Sequence, residues 1–405
     1  MLSTTSLSPS RRTVVLALGA TQTLAWGSSF YLPAILAAPM AGATGVSTNT
    51  VFALFSVALL ISGLLGPSVG RRIDRLGGRG VLVASNVVLA AGLAALAAAT
   101  DGVTLGLAFA LLGVGMGIGL YDSAFAALGR LYGYDARSAI TGISLMAGFA
   151  STIAWPLTSL GLETIGWRGT CLSWAAAHVL IGLPLNWFLL PLAAPLEAQT
   201  GEAKPPPAIS FDRNMWLLTF AFAAIWFVAG AMAAVMPAIL VASGASQSAA
   251  ILAASLMGPA QVAARVFEAR VLMRYHPLLS ARLACLGHPL AAAVLLTAGP
   301  VAAPLFGILH GLGNGILTIA RGTVPLAIYG PANYGYRLGL LGAPARVAQA
   351  SAPYVVSVAL DHGGGHVALI LTAAAGVLTG LAFLVIRQQI DHNDQPPLEQ
   401  TGERT

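Results

Sequence analysis

Long apolar runs, separated by short polar segments, follow one another along almost the whole chain. About twelve runs approach the length of helix, about 20 residues, that crosses a hydrocarbon layer of roughly 30 Å. They cover residues 13–37, 51–69, 80–99, 103–128, 139–162, 170–192, 215–242, 249–270, 283–299, 302–329, 338–360 and 366–386. Because apolar positions are continuous in these runs and do not alternate, the pattern predicts helices and not the strands of a membrane barrel. We therefore expect an all-α membrane protein with twelve transmembrane helices.

Composition agrees with this pattern, because 57% of the 405 residues are hydrophobic and only 8% are charged, far from the range of soluble domains. The net charge of +6 reflects basic residues near alternate ends of the spans: Arg11, Arg12, Arg71, Arg72, Arg75, Arg79, Arg130, Arg137, Lys204, Arg213, Arg274, Arg282, Arg337 and Arg387. The opposite loops contain only Arg168. The positive-inside rule therefore predicts that both termini are cytoplasmic. The basic balance then implies contact with membrane lipid and no nucleic acid partner.

The longest polar interval, EAQTGEAKPPPAISFDRN at 197–214, divides the spans six and six. Similar segments lie on its two sides. LPAIL at 32–36 and MPAIL at 236–240 fall in spans one and seven, and GVGMGIG at 113–119 and GLGNGIL at 311–317 in spans four and ten. Such similarity at matching positions is typical of parallel repeats. The predicted organisation is a cytoplasmic N-terminal tail, an N-terminal six-helix half, a cytoplasmic linker, a C-terminal six-helix half and a cytoplasmic C-terminal tail, at 1–12, 13–192, 193–214, 215–387 and 388–405.

The loop GPSVGRRIDRLGGRG, at 66–80 between spans two and three, has the most specific spacing in the chain: Gly70, Asp74, Arg75, Gly77 and Arg79. It resembles the signature loop of the major facilitator superfamily, and the twelve spans agree with that resemblance over essentially the whole chain. The resemblance implies the major facilitator fold, in which two pseudo-symmetric halves rock about a central site. It also implies that Asp74 and the arginines form a conformational latch at the cytoplasmic side. The alternative is a basic loop that only sets topology.

Five charged residues fall inside the predicted spans, where each costs on the order of 3 kcal/mol by insertion scales: Asp122, Arg265, Glu268, Arg321 and Arg346. At about 1.5 Å per residue, Arg265 and Arg346 lie within roughly 6 Å of the middle of their runs, and the other three about 10 Å toward the cytoplasm. Those three can instead snorkel to the surface, and Arg265 can pair with Glu268 on one helix face. The repeat offset places Asp122 and Arg321 at similar depth in the two halves.

Three arginines against two carboxylates leave a positive centre, which favours an anion. Within the superfamily, carriers of oxalate and monocarboxylates hold carboxylates with a cationic residue in span eight, and the oxalate carriers use another in span eleven. Arg265 and Arg346 are similar to those residues in placement. Polar neighbours complete the predicted substrate site, which comprises Arg265, Arg346, Arg321, Gln261, Gln349, Gln22 and Asn314. Asp122 and Glu268 are the natural coupling residues if a proton gradient drives transport.

The sequence thus predicts a secondary active transporter of a small, carboxylate-like organic anion in the inner (cytoplasmic) membrane. We expect neither an enzyme nor a cofactor or metal site, and a monomer whose partners are its substrate and membrane lipid. One alternative is proton-coupled efflux of drugs or other hydrophobic compounds. The glycine-proline-glycine pattern that drug exporters of the superfamily show in span five is absent from 139–162. A second alternative is a membrane receptor or scaffold that transports nothing.

Overall fold

The computed structural model describes residues 9–192 and 209–386, and almost all of these residues are helical. The helices of the first half are α1 (Arg11–Thr44), α2 (Thr48–Leu76), α3 (Arg79–Ala98), α4 (Gly102–Gly119 and Tyr121–Tyr132), α5 (Ala136–Ala147 and 150–165) and α6 (167–177 and Leu183–Leu189). Those of the second half are α7 (Arg213–Ala242), α8 (Gln247–Arg270), α9 (Pro277–Ala284 and Gly287–Ala298), α10 (Ala303–Tyr329), α11 (334–363) and α12 (365–385).

The chain reverses direction between α5 and α6 although its helical hydrogen bonding is nearly continuous there. The stretch Ala150–Ala177 is interrupted at Gly166, whose φ of 71° is a conformation that favours glycine. The indole Nε1 of Trp174 donates a hydrogen bond to Thr158 Oγ1 at 3.1 Å, across 16 residues of sequence. A straight helix would hold residues of that separation about 24 Å apart, so the two segments lie side by side.

A second reversal separates α11 from α12, within the stretch Tyr334–Val385, at Gly364 with a φ of 66°. The far end of α7 lies against Gly365, whereas Phe222, near the start of α7, packs on Phe383 with ring centroids 6.2 Å apart. The described chain has nine apolar stretches long enough to cross a membrane. One of them, Gly102–Leu189, also contains the turn between α4 and α5 at Gly133–Asp135. That turn and the reversals at Gly166 and Gly364 divide the nine stretches into twelve crossings, and the predicted all-α membrane fold is confirmed.

Helix ends differ from the predicted span ends because polar caps, and not hydropathy, end the helices. The sequence predicts span two at 51–69, but α2 covers Thr48–Leu76. It begins where Ser47 Oγ accepts a hydrogen bond from the Thr50 amide at 3.0 Å, and it ends at Gly77, whose φ is 84°. Hydroxyl side chains satisfy amides that a helix leaves free in its first turn. The helix therefore continues well past its apolar run.

Four irregular turns interrupt the helices of the first half. α1 and α6 contain π-helical turns at Trp26–Phe30 and His178–Gly182, α4 breaks at Leu120, and α5 breaks after Ala147. π-Helical turns often occur at functional sites. The break in α4 frees the carbonyl of Gly119, which accepts a hydrogen bond from Gln22 Nε2 at 2.6 Å.

The two ends of the bundle differ in charge. At the end that we call the arginine-rich end, Arg130 Nε donates to the backbone carbonyl of Asp74 at 3.1 Å, and Arg11 donates to Ser138 Oγ at 2.7 Å. At the opposite end, Arg168 Nη2 donates to the Ala99 carbonyl at 2.7 Å. This distribution follows the alternation of basic residues in the sequence.

Close contact between α2 and α11 joins the first half of the chain to the second at the arginine-rich end. Gly66 lies against Gly339, and Gly70 against Gly335, so closely that an added Cβ at Gly70 would collide with the carbonyl of Gly335. Small residues allow this approach of two helix backbones. The predicted division into halves stays a prediction: most of the predicted linker (193–208), residues 1–8 of the predicted N-terminal tail and all of the C-terminal tail (388–405) lie outside the described residues.

Candidate functional site

The three predicted arginines of the membrane centre are all buried. Their exposed fractions are 4% for Arg265, 3% for Arg321 and 2% for Arg346, so none of them reaches the surface of the bundle. A guanidinium removed from water is stable only where hydrogen bonds, aromatic faces or an opposite charge replace its hydration. The partners of each arginine therefore determine whether its guanidinium can still bind an anion.

Arg321 has an opposite charge as its partner. Its Nη2 lies 2.6 Å from Asp122 Oδ2 in an ion pair between α10 and α4, in agreement with the similar depth that the repeat offset predicts. Gly342 of α11 faces this pair, and a Cβ there would press on Arg321. The second oxygen of the carboxylate, Asp122 Oδ1, is buried without a hydrogen-bond partner.

Glu268 does not pair with Arg265, although the sequence makes that pair an alternative. Glu268 is 1% exposed, and its Oε1 lies 3.0 Å from Nη2 of Arg137, at the start of α5. The same guanidinium donates to the carbonyl of Leu272 at 3.1 Å, which brings α5 and the end of α8 together. Glu268 Oε2 is buried without a partner. The pairing is therefore between halves of the chain and not along one helix.

Arg265 is held mainly by backbone oxygens. Its Nη1 donates to the Ser144 carbonyl at 3.0 Å and its Nε to the Gly315 carbonyl at 3.4 Å, while Nη2 lies 3.5 Å from Oε1 of the predicted neighbour Gln261. Within 9–192 and 209–386, Arg265 forms no ion pair. Each of its three guanidinium nitrogens thus has one partner, while its charge is uncompensated.

Arg346 also has no ion pair in the described chain, and fewer hydrogen bonds. Its Nη1 donates to Oε1 of Gln349, the polar neighbour that the sequence includes in the predicted site, at 2.8 Å. Its guanidinium carbon lies 5.1 Å from the ring centroid of Trp226 and 5.9 Å from that of Trp26. No hydrogen bond from its Nε or Nη2 to another described residue is present. The Nε–Nη2 edge is a fork that can hold a carboxylate through two parallel hydrogen bonds.

An aromatic cluster, which we define as Trp26, Tyr31, Tyr121 and Trp226, lies beside Arg321 and Arg346. Trp26 lies 4.9 Å from Tyr121 and 6.4 Å from Tyr31 between ring centroids. Trp226 contacts both Arg321, at 4.8 Å, and Arg346. The cluster thus connects the surroundings of these two arginines.

The structure separates the two remaining predicted site residues. Gln22 lies on α1 one turn before Trp26, and its Oε1 is buried without a partner. Asn314 instead lines a cavity of about 30 Å³ beside His288 and His310, away from the residues that line the cavity at Arg346. The two histidine rings meet at 3.1 Å between their Nδ1 atoms. No spacing in the sequence indicates this histidine pair.

Asp74 of the predicted latch contacts the second half of the chain. Its two carboxylate oxygens accept hydrogen bonds from the amides of Gly335 and Tyr336, at 2.8 and 2.7 Å. These are amides of the first turn of α11, where a negative charge is favourable. The side chain of Arg71, also on α2, lies over the ring of Tyr336 at 4.3 Å. Asp74 thus holds α2 to α11.

The other predicted latch residues have different surroundings. Gly77 ends α2, with its amide donating to the Ile73 carbonyl at 2.8 Å. Arg75 is exposed, and the guanidinium of Arg79 lies 5.5 Å from the ring of Trp187 in the same half. Gly70 provides the close approach to Gly335. Of the charged residues predicted for the latch, Asp74 is the one that the structure brings to the other half.

Replacing Asp74 with Asn should slow transport while leaving substrate affinity within a few-fold of wild type. The amide would keep one acceptor for α11 but would lose the negative charge that the helix N-terminus favours, which explains the slower transport. Affinity should change little because Asp74 is not one of the residues around the central arginines. Rates in proteoliposomes and affinities of purified protein measure the two effects separately. Arg72→Gln, an exposed change on the same helix, is the control and should alter neither the rate nor the affinity. Lost affinity with unchanged conformational exchange would contradict this role.

The described conformation is closed around Arg346. The cavity that this side chain lines has a volume of about 10 Å³, room for about one water molecule. Asp74 and Arg137 both join the halves at the arginine-rich end. In this conformation the cavity beside Arg346 therefore holds nothing larger than about one water molecule.

Comparison with known proteins agrees with this architecture. The profile of the Major Facilitator Superfamily matches residues 18–308, whereas no curated protein matches the sequence. The structure is similar to that of the human organic anion transporter MFSD10 (TETRAN), with a TM-score of 0.75 and 16% identity over 93% of this chain and 100% of that chain. It is also similar to the proton:xylose symporter XylE bound to 6-bromo-6-deoxy-D-glucose, with a TM-score of 0.69 and 13% identity over 92% and 94% of the two chains.

At these identities the solved structures show the fold alone. The family profile, by contrast, matches well over half of the chain. The predicted resemblance to the superfamily is thereby confirmed, while the finer likeness to oxalate and monocarboxylate carriers stays a prediction. The chain belongs to the Major Facilitator Superfamily, a family of membrane transporters.

Proposed function

We propose that this protein is a secondary active transporter that moves a small organic anion, carboxylate-like in its charge, across the cytoplasmic membrane by alternating access. One observation supports the proposal most directly. Of the buried arginines in the membrane centre, Arg321 is paired with Asp122, but Arg265 and Arg346 have no acidic partner in the described chain. Such uncompensated charge is costly in a membrane. It is explained if the missing negative charge arrives with the substrate.

The contacts between halves support a cycle of rocking motions. Asp74, Arg137 and the glycines of α2 and α11 close the arginine-rich end in the described conformation. We propose that this end is cytoplasmic, with both termini on that side, because the basic residues collect there. Substrate would enter from the opposite end when the halves open there, and leave after the contacts at the arginine-rich end separate. Similarity to the organic anion transporter MFSD10 is compatible with the proposed substrate class.

Two carboxylates are the proposed sites of proton coupling. Asp122 and Glu268 each use one oxygen for an ion pair with an arginine. Each leaves the other oxygen, Asp122 Oδ1 or Glu268 Oε2, buried without a partner. A proton on that oxygen would neutralise the carboxylate and weaken the ion pair, which would release a contact between the two halves of the chain. Movement of a proton would in this way change the balance between conformations.

The aromatic cluster is one specific observation that favours the alternative function, efflux of drugs or other hydrophobic compounds. Flat rings bind lipophilic cations through their faces, and Trp26 and Trp226 already contact cationic side chains. A site with two uncompensated arginines nevertheless repels a cationic drug. We therefore place anion transport first.

Binding to purified protein distinguishes the two functions. A ligand of the native state raises its apparent stability, so organic carboxylates should raise the temperature of thermal unfolding in a concentration-dependent way, whereas lipophilic cations should not. Arg270→Gln, which removes an exposed arginine from α8, should respond as wild type does. Stabilisation by lipophilic cations and not by carboxylates would favour drug efflux. A stable protein that binds members of both classes but transports neither in liposomes would indicate a receptor.

A further inference from the structure

The surroundings of Arg346 contain hydrogen-bond donors that have no acceptor. Nη1 is occupied by Gln349, but the Nε–Nη2 edge donates to no other described residue. The indole Nε1 of Trp26 is buried and also has no acceptor in the described chain, and the Trp26 side chain is only 5% exposed. Leaving buried donors unsatisfied costs free energy. A carboxylate, which only accepts hydrogen bonds, is the group that this set of donors fits.

The surfaces next to those donors are aromatic. Trp226 and Trp26 have ring centroids 5.1 and 5.9 Å from the guanidinium carbon of Arg346, and Tyr121 adds a ring 4.9 Å from that of Trp26. Rings at such distances accept other rings in offset or edge-to-face contacts. A hydrophilic anion such as oxalate would gain no such ring contact and would have to shed its water beside these apolar rings.

The number of available donors indicates a single carboxylate. Arg265 uses its three donor groups on Ser144, Gly315 and Gln261, and Arg321 is neutralised by Asp122. Of these three arginines, Arg346 alone combines the lack of an acidic partner with an Nε–Nη2 edge that donates to no described residue. A second carboxylate on the substrate would have to displace one of these existing contacts.

We infer that the substrate is an aromatic monocarboxylate, with its carboxylate on the Nε–Nη2 edge of Arg346 and the indole N–H of Trp26, and its ring against Trp26 and Trp226. This inference rests on the proposed function and names the substrate class of the same site. The closed cavity of about 10 Å³ is too small for such a molecule, so binding takes place when the two halves have moved apart. Trp26 on α1 and Trp226 on α7 contribute one ring from each half of the chain. Contact of the substrate ring with these two rings then determines the preference for aromatic over aliphatic carboxylates.

The test uses benzoate, cyclohexanecarboxylate, acetate, oxalate and benzyl alcohol as probes, with affinities from thermal shifts or calorimetry. Benzoate should bind most tightly, and cyclohexanecarboxylate, which is similar in size but not flat, more weakly. Trp226→Leu should reduce the preference for benzoate over cyclohexanecarboxylate by about tenfold. Trp216→Leu, an exposed tryptophan on the same helix, is the control and should leave that preference unchanged.

Trp26→Phe keeps a ring but removes the indole N–H, so it should weaken all the carboxylates to a similar extent while keeping the preference for benzoate. It also provides a conservative variant if Trp226→Leu does not fold. Two results would overturn the inference and leave anion transport standing. One is equal binding of acetate, oxalate and benzoate. The other is an unchanged preference for benzoate in Trp226→Leu together with unchanged carboxylate affinities in Trp26→Phe. Binding of benzyl alcohol as tight as that of benzoate, or no binding of any carboxylate, would instead overturn the proposed function itself.

Discussion

Replacing Arg346 with Gln should weaken binding of the organic anion by about 2 to 5 kcal/mol, the range for truncating one partner of a buried charge pair. The same change should not destabilise the protein without ligand. Arg346 is 2% exposed and has no acidic partner in the described chain, so its burial costs free energy that a neutral amide avoids. The unfolding temperature of the variant should therefore equal or exceed that of wild type, while the increase that the anion causes should be lost.

Two further variants separate charge from geometry at this position. Arg346→Lys keeps the positive charge but not the planar fork, so it should recover only part of the affinity. Arg265→Gln should also weaken binding by removing positive potential. It should destabilise the protein as well, since the Ser144 and Gly315 carbonyls lose their donor. If Arg346→Gln binds the anion as tightly as wild type does, Arg346 is not the anchor of the substrate.

Replacing Asp122 with Asn should have the largest effect on stability, about 3 to 5 kcal/mol, because it leaves the buried guanidinium of Arg321 without its counter-charge. The double variant Asp122→Asn, Arg321→Gln should recover much of this loss, since neither charge then remains. Free energies of unfolding for the two single variants and the double variant give the interaction energy directly. Additive effects of the two changes would contradict a stabilising ion pair.

The same residue tests the coupling proposal. Asp122→Asn, combined with Arg321→Gln if stability requires it, should uncouple transport from the proton gradient while still permitting exchange of anion across the membrane. Glu268→Gln is the matched change at the second ion pair. If both carboxylates can be replaced with full pH-driven accumulation, protonation of these groups is not the mechanism, and anion exchange becomes the better account.

The fold could be predicted because the bilayer constrains sequence so strongly. Every crossing requires a continuous apolar helix, and such runs are visible without any knowledge of contacts. Helix ends were harder to place, since they depend on caps such as Ser47 and on glycines such as Gly77. The reversals at Gly166 and Gly364 join spans that hydropathy separates by only a few residues.

The charged residues of the site could be predicted for a related reason: charge is rare inside the spans, and each instance is therefore conspicuous. Their partners could not be predicted. Arg137 reaches Glu268 over 131 residues, and the sequence gives no measure of such a distance. In the sequence, Arg137 is one of the basic residues that set topology, and nothing in that pattern indicates its contact with α8. His288 and His310 come together only because α9 and α10 pack side by side.

Whether Arg346 has a free donor edge also depends on rotamers that sequence does not specify. Gln349 is three residues away, and its Oε1 accepts a hydrogen bond from Nη1, which leaves Nε and Nη2 available. The unsatisfied indole of Trp26 depends likewise on the π-helical turn at Trp26–Phe30. The sequence could therefore indicate a positive site for an anion, but only the packing of α1, α7 and α11 indicates an aromatic one.

The most direct test of anion transport is counterflow in proteoliposomes. Vesicles that contain purified protein are loaded with unlabelled benzoate and diluted into a trace of labelled benzoate, without any imposed proton gradient. Wild-type protein should accumulate the label transiently above the level of protein-free vesicles, and Arg346→Gln should not. Failure of wild-type protein to accumulate any carboxylate, together with counterflow of a lipophilic cation in the same vesicles, would contradict the account and identify drug efflux as the function.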